Sequence, residues 1–350
     1  MTDAVKVGLI GYGMAGQVFH APVIEAVPQL KLVKVLERRT NLSPQRYPWV
    51  KVVRDISEML EDEEIELVVI ATPNSSHFDY TQQALKANKH VVVDKPFTVT
   101  SVEAKLLIDL AEERKLVLSV FQNRRWDGDF LTVQKVLDGK LLGRVVEYEA
   151  HFDRFRNFQK QNWREEAEEP GSGILYDLGS HLIDQALVLF GTPEMVTADI
   201  RKQRDGSKVD DNFEILMQYP ELKVTLKAGM LVKIPGPRYI VQGTEGSFHK
   251  HGIDPQEDAL KMGRTPAEFG WGVSSKEDRG HLVTRIANLE IDARVETLPG
   301  SYQEYYSNIA DAIRGKMELA VKPVTAMQTI RIIELAMESN MLKRSIAMLD

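Results

Sequence analysis

The first 120 residues alternate short, mostly apolar runs with segments of helical spacing. The six apolar runs are Val5–Ile10, Leu30–Leu36, Lys51–Val53, Leu67–Ala71, Val91–Val93 and Val117–Val120. Runs that are apolar at successive positions are typical of strands buried on both faces of a parallel sheet. Intervening segments such as Phe78–Ala87 and Val102–Arg114 have the spacing of helices. The pattern predicts a doubly wound (Rossmann) sheet whose ligand lies at the carboxyl ends of the strands.

After Val120 the pattern changes to longer segments of strand character. These segments are Val145–Arg156, Val196–Arg204, Asn212–Tyr219, Lys223–Val232 and Tyr239–Gln242, and helical spacing covers Phe130–Leu137, Leu175–Leu189 and Gln328–Leu342. Short turns between strands predict a large, mostly antiparallel open sheet. We therefore predict an α/β protein with one domain over residues 1–122 and a second over 123–350, whose C-terminal helix can pack back on the first.

Size and composition narrow the function classes. A chain of 350 residues exceeds the usual size of a single core, which agrees with two domains. The net charge of −7 and the lack of any Lys/Arg run argue against a nucleic-acid partner. There is no cysteine, no leader-like N-terminus and no apolar run that could span a bilayer. We expect a cytoplasmic protein without a membrane partner.

Three glycines follow the first predicted strand, and a helix-like segment follows them. Gly11 allows a tight turn, Gly13 removes a side chain where a pyrophosphate approaches the backbone, and Gly16 lets helix and strand pack closely. The N–H groups at the start of the helix then favour an anion. Because strand, turn, helix and a later acidic residue occur in the required order, this segment predicts a dinucleotide site.

The second predicted strand ends at charged residues that bear on the choice of cofactor. Glu37 can accept hydrogen bonds from the adenosine ribose hydroxyls, and its charge repels a 2′-phosphate. Arg38 and Arg39 follow, and an arginine can pair with a 2′-phosphate or stack on adenine. The signals conflict, and Glu37 inclines the prediction towards NAD over NADP. A solvated charge cluster is the structural alternative, and it suits one of the arginines better than Glu37.

The next strand ends also carry polar groups. Thr72-Pro73-Asn74 and His77 follow the fourth run, where they can line the nicotinamide side or simply form a turn and a helix start. Lys95 lies two residues after the fifth run and precedes Pro96, so its ammonium group is expected at the ligand edge of the sheet rather than on an ordinary helix surface.

One predicted helix of the second half combines acid and imidazole groups. Asp177 and His181 are four residues apart, and Asp184 follows on the same face. A carboxylate one turn from an imidazole suits a general acid/base near neutral pH, although structural pairs also arise this way. A metal site is disfavoured because no further ligand clusters nearby, and we expect none.

Together these motifs resemble the Gfo/Idh/MocA oxidoreductases over essentially the whole chain. The resemblance rests on Gly11-Tyr-Gly-Met-Ala-Gly16, Ala71-Thr-Pro-Asn74 with His77, Lys95-Pro96, and Gly173-Ile-Leu-Tyr-Asp177-Leu-Gly-Ser-His181. Phe19-His-Ala-Pro22 and Gln122-Asn-Arg-Arg125 are similar to the branch with scyllo-inositol dehydrogenase. One departure is Asp94, where the family usually has Glu.

The resemblance implies an NAD(P)-binding domain followed by a substrate-binding α/β domain, and a homodimer or homotetramer formed through the open sheet. It also implies that Lys95, Asp177 and His181 are the catalytic residues. Expected cofactor contacts are Gly11, Tyr12, Gly13, Met14, Ala15, Gly16, Glu37, Arg38, Arg39, Thr72, Pro73, Asn74, His77, Asp94, Lys95, Pro96, Gln122 and Asn123. Expected substrate contacts are Lys95, Asn123, Arg124, Arg154, Asn162, Trp163, Arg164, Asp177 and His181.

The hypothesis is an NAD(P)-dependent dehydrogenase acting on a secondary alcohol of an inositol-like polyol or sugar. His181 would take the hydroxyl proton, Lys95 would hold the same oxygen, and Asp177 would set the positions and charge of both. The alternatives are a dehydrogenase of an aldose or a cyclic diol, and a protein that binds NAD(P) and senses redox state without turnover.

Overall fold

A computed structural model of the protein describes residues 4–160, 163–166 and 169–348, and for Arg164 the backbone alone. Its first sheet has six parallel strands: β1 (Val5–Ile10), β2 (Leu30–Leu36), β3 (Lys51–Val53), β4 (Leu67–Ile70), β5 (His90–Val93) and β6 (Leu118–Val120). Their spatial order is β3-β2-β1-β4-β5-β6, so the strand order reverses between β1 and β4. This arrangement confirms the predicted doubly wound sheet and places its ligand crevice at the ends of β1 and β4.

The helices are α1 (Ala21–Glu25), α2 (Ser43–Arg46), α3 (Ser57–Leu60), α4 (His77–Lys86), α5 (Ser101–Glu113), α6 (Gly128–Asp138), α7 (Ser180–Phe190), α8 (Gln256–Lys261), α9 (Gln303–Ile313) and α10 (Pro323–Leu342). Turns of π-helix, Ala15–His20 and Leu175–Gly179, lead directly into α1 and α7. Short 3₁₀ turns cover Asn74–Ser76, Asn123–Trp126, Trp163–Glu165 and Lys276–Asp278. None of the helices in the described part of the chain is long and apolar enough to cross a bilayer.

The second sheet has nine strands: β7 (Val145–His151), β8 (Met195–Arg201), β9 (Asn212–Gln218), β10 (Lys223–Gly229), β11 (Tyr239–Gly243), β12 (Gly246–Lys250), β13 (Gly280–Ile286), β14 (Leu289–Val295) and β15 (Ile346–Ala347). Their order is β14-β13-β12-β11-β7-β10-β9-β8-β15. All neighbours pair antiparallel except β7 and β10. The predicted mostly antiparallel sheet is thereby confirmed, although β12 to β15 were not foreseen.

Three predicted strands end at least three residues earlier than expected, and one of them is β10, which ends at Gly229 rather than Val232. β8 stops at Arg201 rather than Arg204, because the Asp211 carboxylate takes the N–H groups of Gln203 (2.6 Å) and Arg204 (3.1 Å). β7 stops at His151 rather than Arg156, although the Phe152 N–H still bonds to the Lys227 carbonyl at 2.8 Å. Local side-chain and loop geometry decides these ends, and periodicity does not show it.

The chain forms two compact units. The first comprises Met1–Trp126, Pro255–Trp271 and Ser301–Met327, and the second comprises Asp127–Asp254, Gly272–Gly300 and Gln328–Asp350. The predicted boundary at 122/123 lies four residues before the end of the first of these segments, and the prediction did not include the two later segments of the first unit. The functional roles predicted for the two halves stay predictions.

Aromatic residues explain why the later segments belong to the first unit. Tyr302, Tyr305 and Tyr306, in and beside α9, are buried in one hydrophobic cluster with Leu9 of β1 and Phe121 after β6. Burying such large rings removes much apolar surface from water, which is the main favourable contribution to folding. α10 begins in the first unit and continues in the second from residue 328.

Candidate active site

The glycine turn after β1 has the steric character of a phosphate cradle. Gly11 has a φ of +96°, and a Cβ there would lie 2.6 Å from the Ala71 carbonyl oxygen. A Cβ on Gly16 would lie 2.2 Å from the Gly11 oxygen, whereas one on Gly13 would meet no described atom within 4 Å. Gly11 and Gly16 are thus required by the fold, and Gly13 leaves open space, as a bound pyrophosphate needs.

The helix that follows this turn is available to an anion. Within the described part of the chain, no side chain caps its start at Met14, and its first turn contains no acidic residue. The N–H groups and the helix dipole there favour negative charge. The residues present therefore fit the phosphates of a dinucleotide. Tyr12 is buried, and its carbonyl accepts a hydrogen bond from Gln17 Nε2 at 2.7 Å.

Glu37, at the end of β2, is held by its own loop. It is only 3% exposed, and its Oε1 accepts the N–H and the hydroxyl of Ser43, at 2.8 and 2.6 Å. Its Oε2 accepts the Thr40 hydroxyl at 2.6 Å and the Leu42 N–H at 2.8 Å. Burial raises the pKa of Glu37, but these hydrogen bonds outweigh burial and leave the pKa below its ordinary value. The carboxylate is ionised at neutral pH, and its acceptor sites are filled by protein donors.

The two arginines after Glu37 are exposed, in contrast to the glutamate. The Arg38 guanidinium donates to the hydroxyl of Tyr80 on α4 and lies 6.0 Å from the centre of the Tyr80 ring. Arg39 extends from the same loop. The positive charge at this strand end is therefore accessible, and the negative charge is not.

His77 connects two of the predicted cofactor loops. Its ring is buried, with Nε2 3.0 Å from the Thr72 carbonyl and Nδ1 2.8 Å from the Pro96 carbonyl. Burial lowers the pKa of His77. Because both ring nitrogens face backbone oxygens, His77 supports the loops rather than presenting a nitrogen to a ligand. Ser76 Oγ lies 2.8 Å from both Thr72 Oγ1 and the Pro73 carbonyl, and Asn74 is buried in the same turn.

Lys95 follows β5 as predicted, at the carboxyl edge of the sheet. Its side chain is half-buried, and its peptide bond to Pro96 is cis. The Lys95 N–H donates to Oδ1 of the buried Asp94 at 2.8 Å. Burial raises the pKa of Asp94, but the opposing effects of His20, Lys95 and His77 together are larger, and the pKa lies below its ordinary value. Asp94 is thus an ionised group beside the lysine.

The segment after β6 is largely used within its own unit. Gln122 and Asn123 are buried. Arg124, predicted to contact substrate, is 6% exposed and forms an ion pair with Glu257 of α8. Arg125 donates to the Ala320 carbonyl at 3.0 Å. The Arg124 guanidinium is therefore paired with the Glu257 carboxylate, an ion pair that the sequence pattern did not predict.

Asp177 and His181 lie on the continuous helix formed by the π turn Leu175–Gly179 and α7. Asp177 is half-buried, and His181 and Asp184 are buried. Single π turns inside helices occur frequently at functional sites. This turn starts beside Gly173, where a φ of +88° brings the backbone against Asp210, whose Oδ2 accepts the Leu175 N–H at 2.7 Å. The predicted helical placement of Asp177 and His181 agrees with the structure.

The structure describes the side chains of two of the four remaining predicted substrate residues, Arg154 and Trp163. Arg154 is half-buried, with its guanidinium carbon 5.0 Å from the centre of the Phe152 ring. Trp163 is half-buried in a 3₁₀ turn. Asn162 and the Arg164 side chain lie outside the described residues. Lys95 belongs to the first compact unit, and Asp177 and His181 belong to the second, so their convergence on one ligand stays a prediction.

Three groups at the site were not singled out by the sequence. His20 lies beside Asp94, Tyr306 contacts His20, and Asp210 lies at the start of the Asp177 helix. A histidine four residues after Gly16, in an apolar helix, was the available signal for His20. Among the described residues, no group of three or more His, Asp or Glu side chains could hold a metal ion.

A doubly wound sheet with a glycine turn at its switch point, followed in the chain by an α/β unit with an aspartate–histidine helix, defines a nucleotide-dependent oxidoreductase. The chain belongs to the Gfo/Idh/MocA oxidoreductase family. Residues 5–122 match the family's NAD-binding Rossmann fold, and residues 134–348 match its C-terminal alpha/beta domain. The protein is accordingly an NAD(P)-dependent dehydrogenase.

Individual relatives match over nearly the full length. The chain is 41% identical over 347 residues to the scyllo-inositol 2-dehydrogenase (NADP(+)) IolW of Bacillus subtilis, covering 98% of this chain and 96% of that protein. It is 43% identical to the uncharacterised oxidoreductase YdgJ of Escherichia coli, over 97% of each chain. The solved structure of the oxidoreductase yvaA from Bacillus subtilis superimposes with a TM-score of 0.96 at 40% identity, covering 100% of this chain and 99% of that one.

Proposed function

We propose that this protein is an NADP-dependent dehydrogenase that oxidises a secondary alcohol of an inositol-like polyol, or reduces the corresponding ketone. The observation that carries the proposal is full-length similarity to a scyllo-inositol 2-dehydrogenase in a chain that has a lysine at the end of β5 and the Asp177–His181 helix. Both features support alcohol chemistry.

The proposed roles follow from the chemistry of the side chains. A bound nicotinamide would supply hydride-transfer chemistry at the carbinol carbon, in either direction. His181 takes the hydroxyl proton, since an imidazole can exchange a proton near neutral pH. The Lys95 ammonium group stabilises negative charge that develops on the same oxygen. Asp177, one turn before His181, orients the imidazole and balances its positive charge after proton transfer.

The preference for NADP rests on the end of β2. An ionised acid that favours NAD must offer free lone pairs to the ribose hydroxyls. Glu37 already accepts four hydrogen bonds from Thr40, Leu42 and Ser43, so the argument for NAD loses its basis. Exposed Arg38 and Arg39 can form charge-assisted bonds with a 2′-phosphate.

The test is a panel of inositol isomers, other polyols and aldoses, each assayed with NAD and with NADP by absorbance of the reduced nicotinamide. We expect turnover with an inositol-like polyol and a higher kcat/KM with NADP. Turnover with aldoses alone would contradict the polyol assignment and make an aldose the substrate. Tight cofactor binding without turnover on any panel member would support the redox sensor instead. Cytoplasmic location and assembly through the nine-stranded sheet stay predictions.

A further inference from the structure

His20 is a fully buried histidine with no role in the proposed reaction. It is 0% exposed and ends the π turn that follows the glycine loop. Its ring packs against Phe121, with the ring centres 4.4 Å apart. A buried imidazole pays a desolvation cost unless its polar atoms have suitable neighbours. The neighbours of its two ring nitrogens therefore indicate what the residue does.

One nitrogen faces the acid beside Lys95. His20 Nε2 lies 3.7 Å from Asp94 Oδ1, which is longer than a hydrogen bond but close enough for a proton on Nε2 to interact electrostatically with the carboxylate. The same Oδ1 atom accepts the Lys95 N–H at 2.8 Å. Asp94 is thus held between the imidazole and the backbone of the lysine. Lys95 and His77 are the other ionisable groups that act on its charge most strongly.

The neighbour of the other nitrogen indicates where the ring carries its proton. His20 Nδ1 lies 2.6 Å from the hydroxyl of Tyr306, which is also fully buried. Burial raises the pKa of Tyr306 well above its ordinary value, so the phenol stays protonated and can donate a hydrogen bond to Nδ1. A neutral ring that accepts at Nδ1 carries its proton on Nε2, and an imidazolium does so as well. In both states the nitrogen nearest to Asp94 carries a proton, whereas the other neutral tautomer would oppose a lone pair to the carboxylate.

We propose that His20 is a positioning residue for Lys95: Tyr306 directs the His20 N–H towards Asp94, and Asp94 in turn holds the Lys95 peptide. All four residues belong to the first compact unit. The proposal rests on the proposed role of Lys95, but the arrangement itself is independent of any substrate.

The chain offers a matched pair of variants. Tyr306→Phe removes the hydroxyl that contacts His20. Tyr305→Phe removes an equally buried hydroxyl on the neighbouring residue, which bonds to Ser119 Oγ at 3.0 Å. His20→Leu removes the ring nitrogens, and His20→Gln keeps an N–H donor of similar reach.

The first measurement is steady-state kinetics. We expect His20→Leu to lower kcat by up to ~10²-fold, the scale on which a displacement of about 1 Å acts, with little change in the dissociation constant of NADPH. Tyr306→Phe should lower kcat less, His20→Gln should restore part of it, and Tyr305→Phe should match the wild type. Equal losses in Tyr305→Phe and Tyr306→Phe would overturn the proposal, since they would reflect packing alone.

The second measurement needs no turnover and therefore separates this proposal from the proposed function. Long-range ¹H–¹⁵N correlation on the full-length protein reports which nitrogen of His20 is protonated, with His20→Gln assigning the signals. We expect protonation at Nε2 and a Lys95 amide signal that shifts in Tyr306→Phe but not in Tyr305→Phe. An Nδ1–H tautomer, or a Lys95 signal that does not respond to Tyr306→Phe, would contradict the arrangement even if the enzyme were active.

Discussion

The Asp210 carboxylate accepts the Leu175 N–H at 2.7 Å and thereby caps the helix that carries Asp177 and His181. Burial raises the pKa of Asp210 to about 6, despite backbone hydrogen bonds that oppose the shift. The adjacent Asp211 behaves in the opposite way. Burial raises its pKa too, but hydrogen bonds from Gln203 and Arg204 outweigh burial, and the pKa lies below its ordinary value.

Asp210 should make the protein less stable as pH rises. Its folded-state pKa of about 6 exceeds the ordinary 3.8, so the folded state binds more protons between these values and loses stability as pH rises through them. The loss is roughly 1–3 kcal/mol. Chemical denaturation of Asp210→Asn from pH 4 to 8 should show a flatter pH dependence than the wild type. Asp211→Asn should instead lose stability at neutral pH, and identical profiles for the two variants would contradict these assignments.

Replacing His181 by Ala should slow turnover and leave cofactor binding nearly intact. A positioned proton-transfer group contributes ~10²–10⁴ in rate. Steady-state assays give kcat, and NADPH fluorescence gives the dissociation constant of the cofactor. His249→Ala, in the same compact unit on β12, is the control and should keep full activity. If His181→Ala lost turnover and cofactor affinity to the same extent, the imidazole would have a structural role.

Arg38→Ala and Arg39→Ala should weaken the use of NADP specifically. A hydrogen bond to a charged group contributes about 1.5–3 kcal/mol, which corresponds to roughly a 10- to 100-fold loss of kcat/KM with NADP. NAD serves as the internal control, because it lacks the 2′-phosphate, and its kcat/KM should change little. Equal losses with both cofactors in both variants would place the arginines outside the 2′-phosphate site.

Glu37→Gln should affect stability more than the choice of cofactor. The change disturbs hydrogen bonds with Thr40, Leu42 and Ser43 and should cost about 1–3 kcal/mol, as expected for buried groups left without good partners. Denaturant unfolding gives the free energy, and KM values for NAD and NADP should rise by similar factors. A selective loss of NAD binding would show that Glu37 contacts the ribose directly.

Two glycine variants distinguish a ligand cradle from ordinary close packing. Gly16→Ala places a Cβ 2.2 Å from the Gly11 oxygen and should lower the melting temperature. Gly13→Ala meets no described atom within 4 Å, so the protein without cofactor should melt as the wild type does. NADPH titration should nevertheless show weaker binding in Gly13→Ala, because the methyl group occupies the approach of the pyrophosphate. Unchanged affinity for NADPH would show that the pyrophosphate does not bind against Gly13.

The first sheet was predictable because strands buried on both faces are apolar at most successive positions. Leu67–Ile70, for example, is fully buried along its length, and its apolar run ends within one residue of the observed strand. The hairpin of β13 and β14 was missed because β14 has no buried residue and β13 buries only Gly280, Leu282 and Thr284, which form no apolar run. Its turn, Ala287–Asn288, has two non-glycine residues of positive φ rather than a glycine signal.

The placement of individual residues was predictable where a motif follows a strand, as for Gly13 and Lys95, or lies on one helix, as for Asp177 and His181. Their roles in a site stay predictions. What could not be predicted is which polar side chains form hydrogen bonds and ion pairs within the fold and are therefore not presented to a ligand. The pairing of Arg124 with Glu257 joins residues 133 positions apart, and no local pattern encodes it. Glu37 shows the same difficulty at short range, since a ribose acceptor and a loop cap use the same carboxylate.

The burial of Tyr302, Tyr305 and Tyr306 against Phe121 also bears on biosynthesis. A nascent chain has released every strand of the first sheet once residue 120 emerges, yet the rings that complete that core are translated about 180 residues later. Until then an apolar patch around Phe121 stays without its native cover. The half of the molecule that is synthesised first can therefore finish folding only near the end of translation, and a fragment truncated after residue 122 should aggregate.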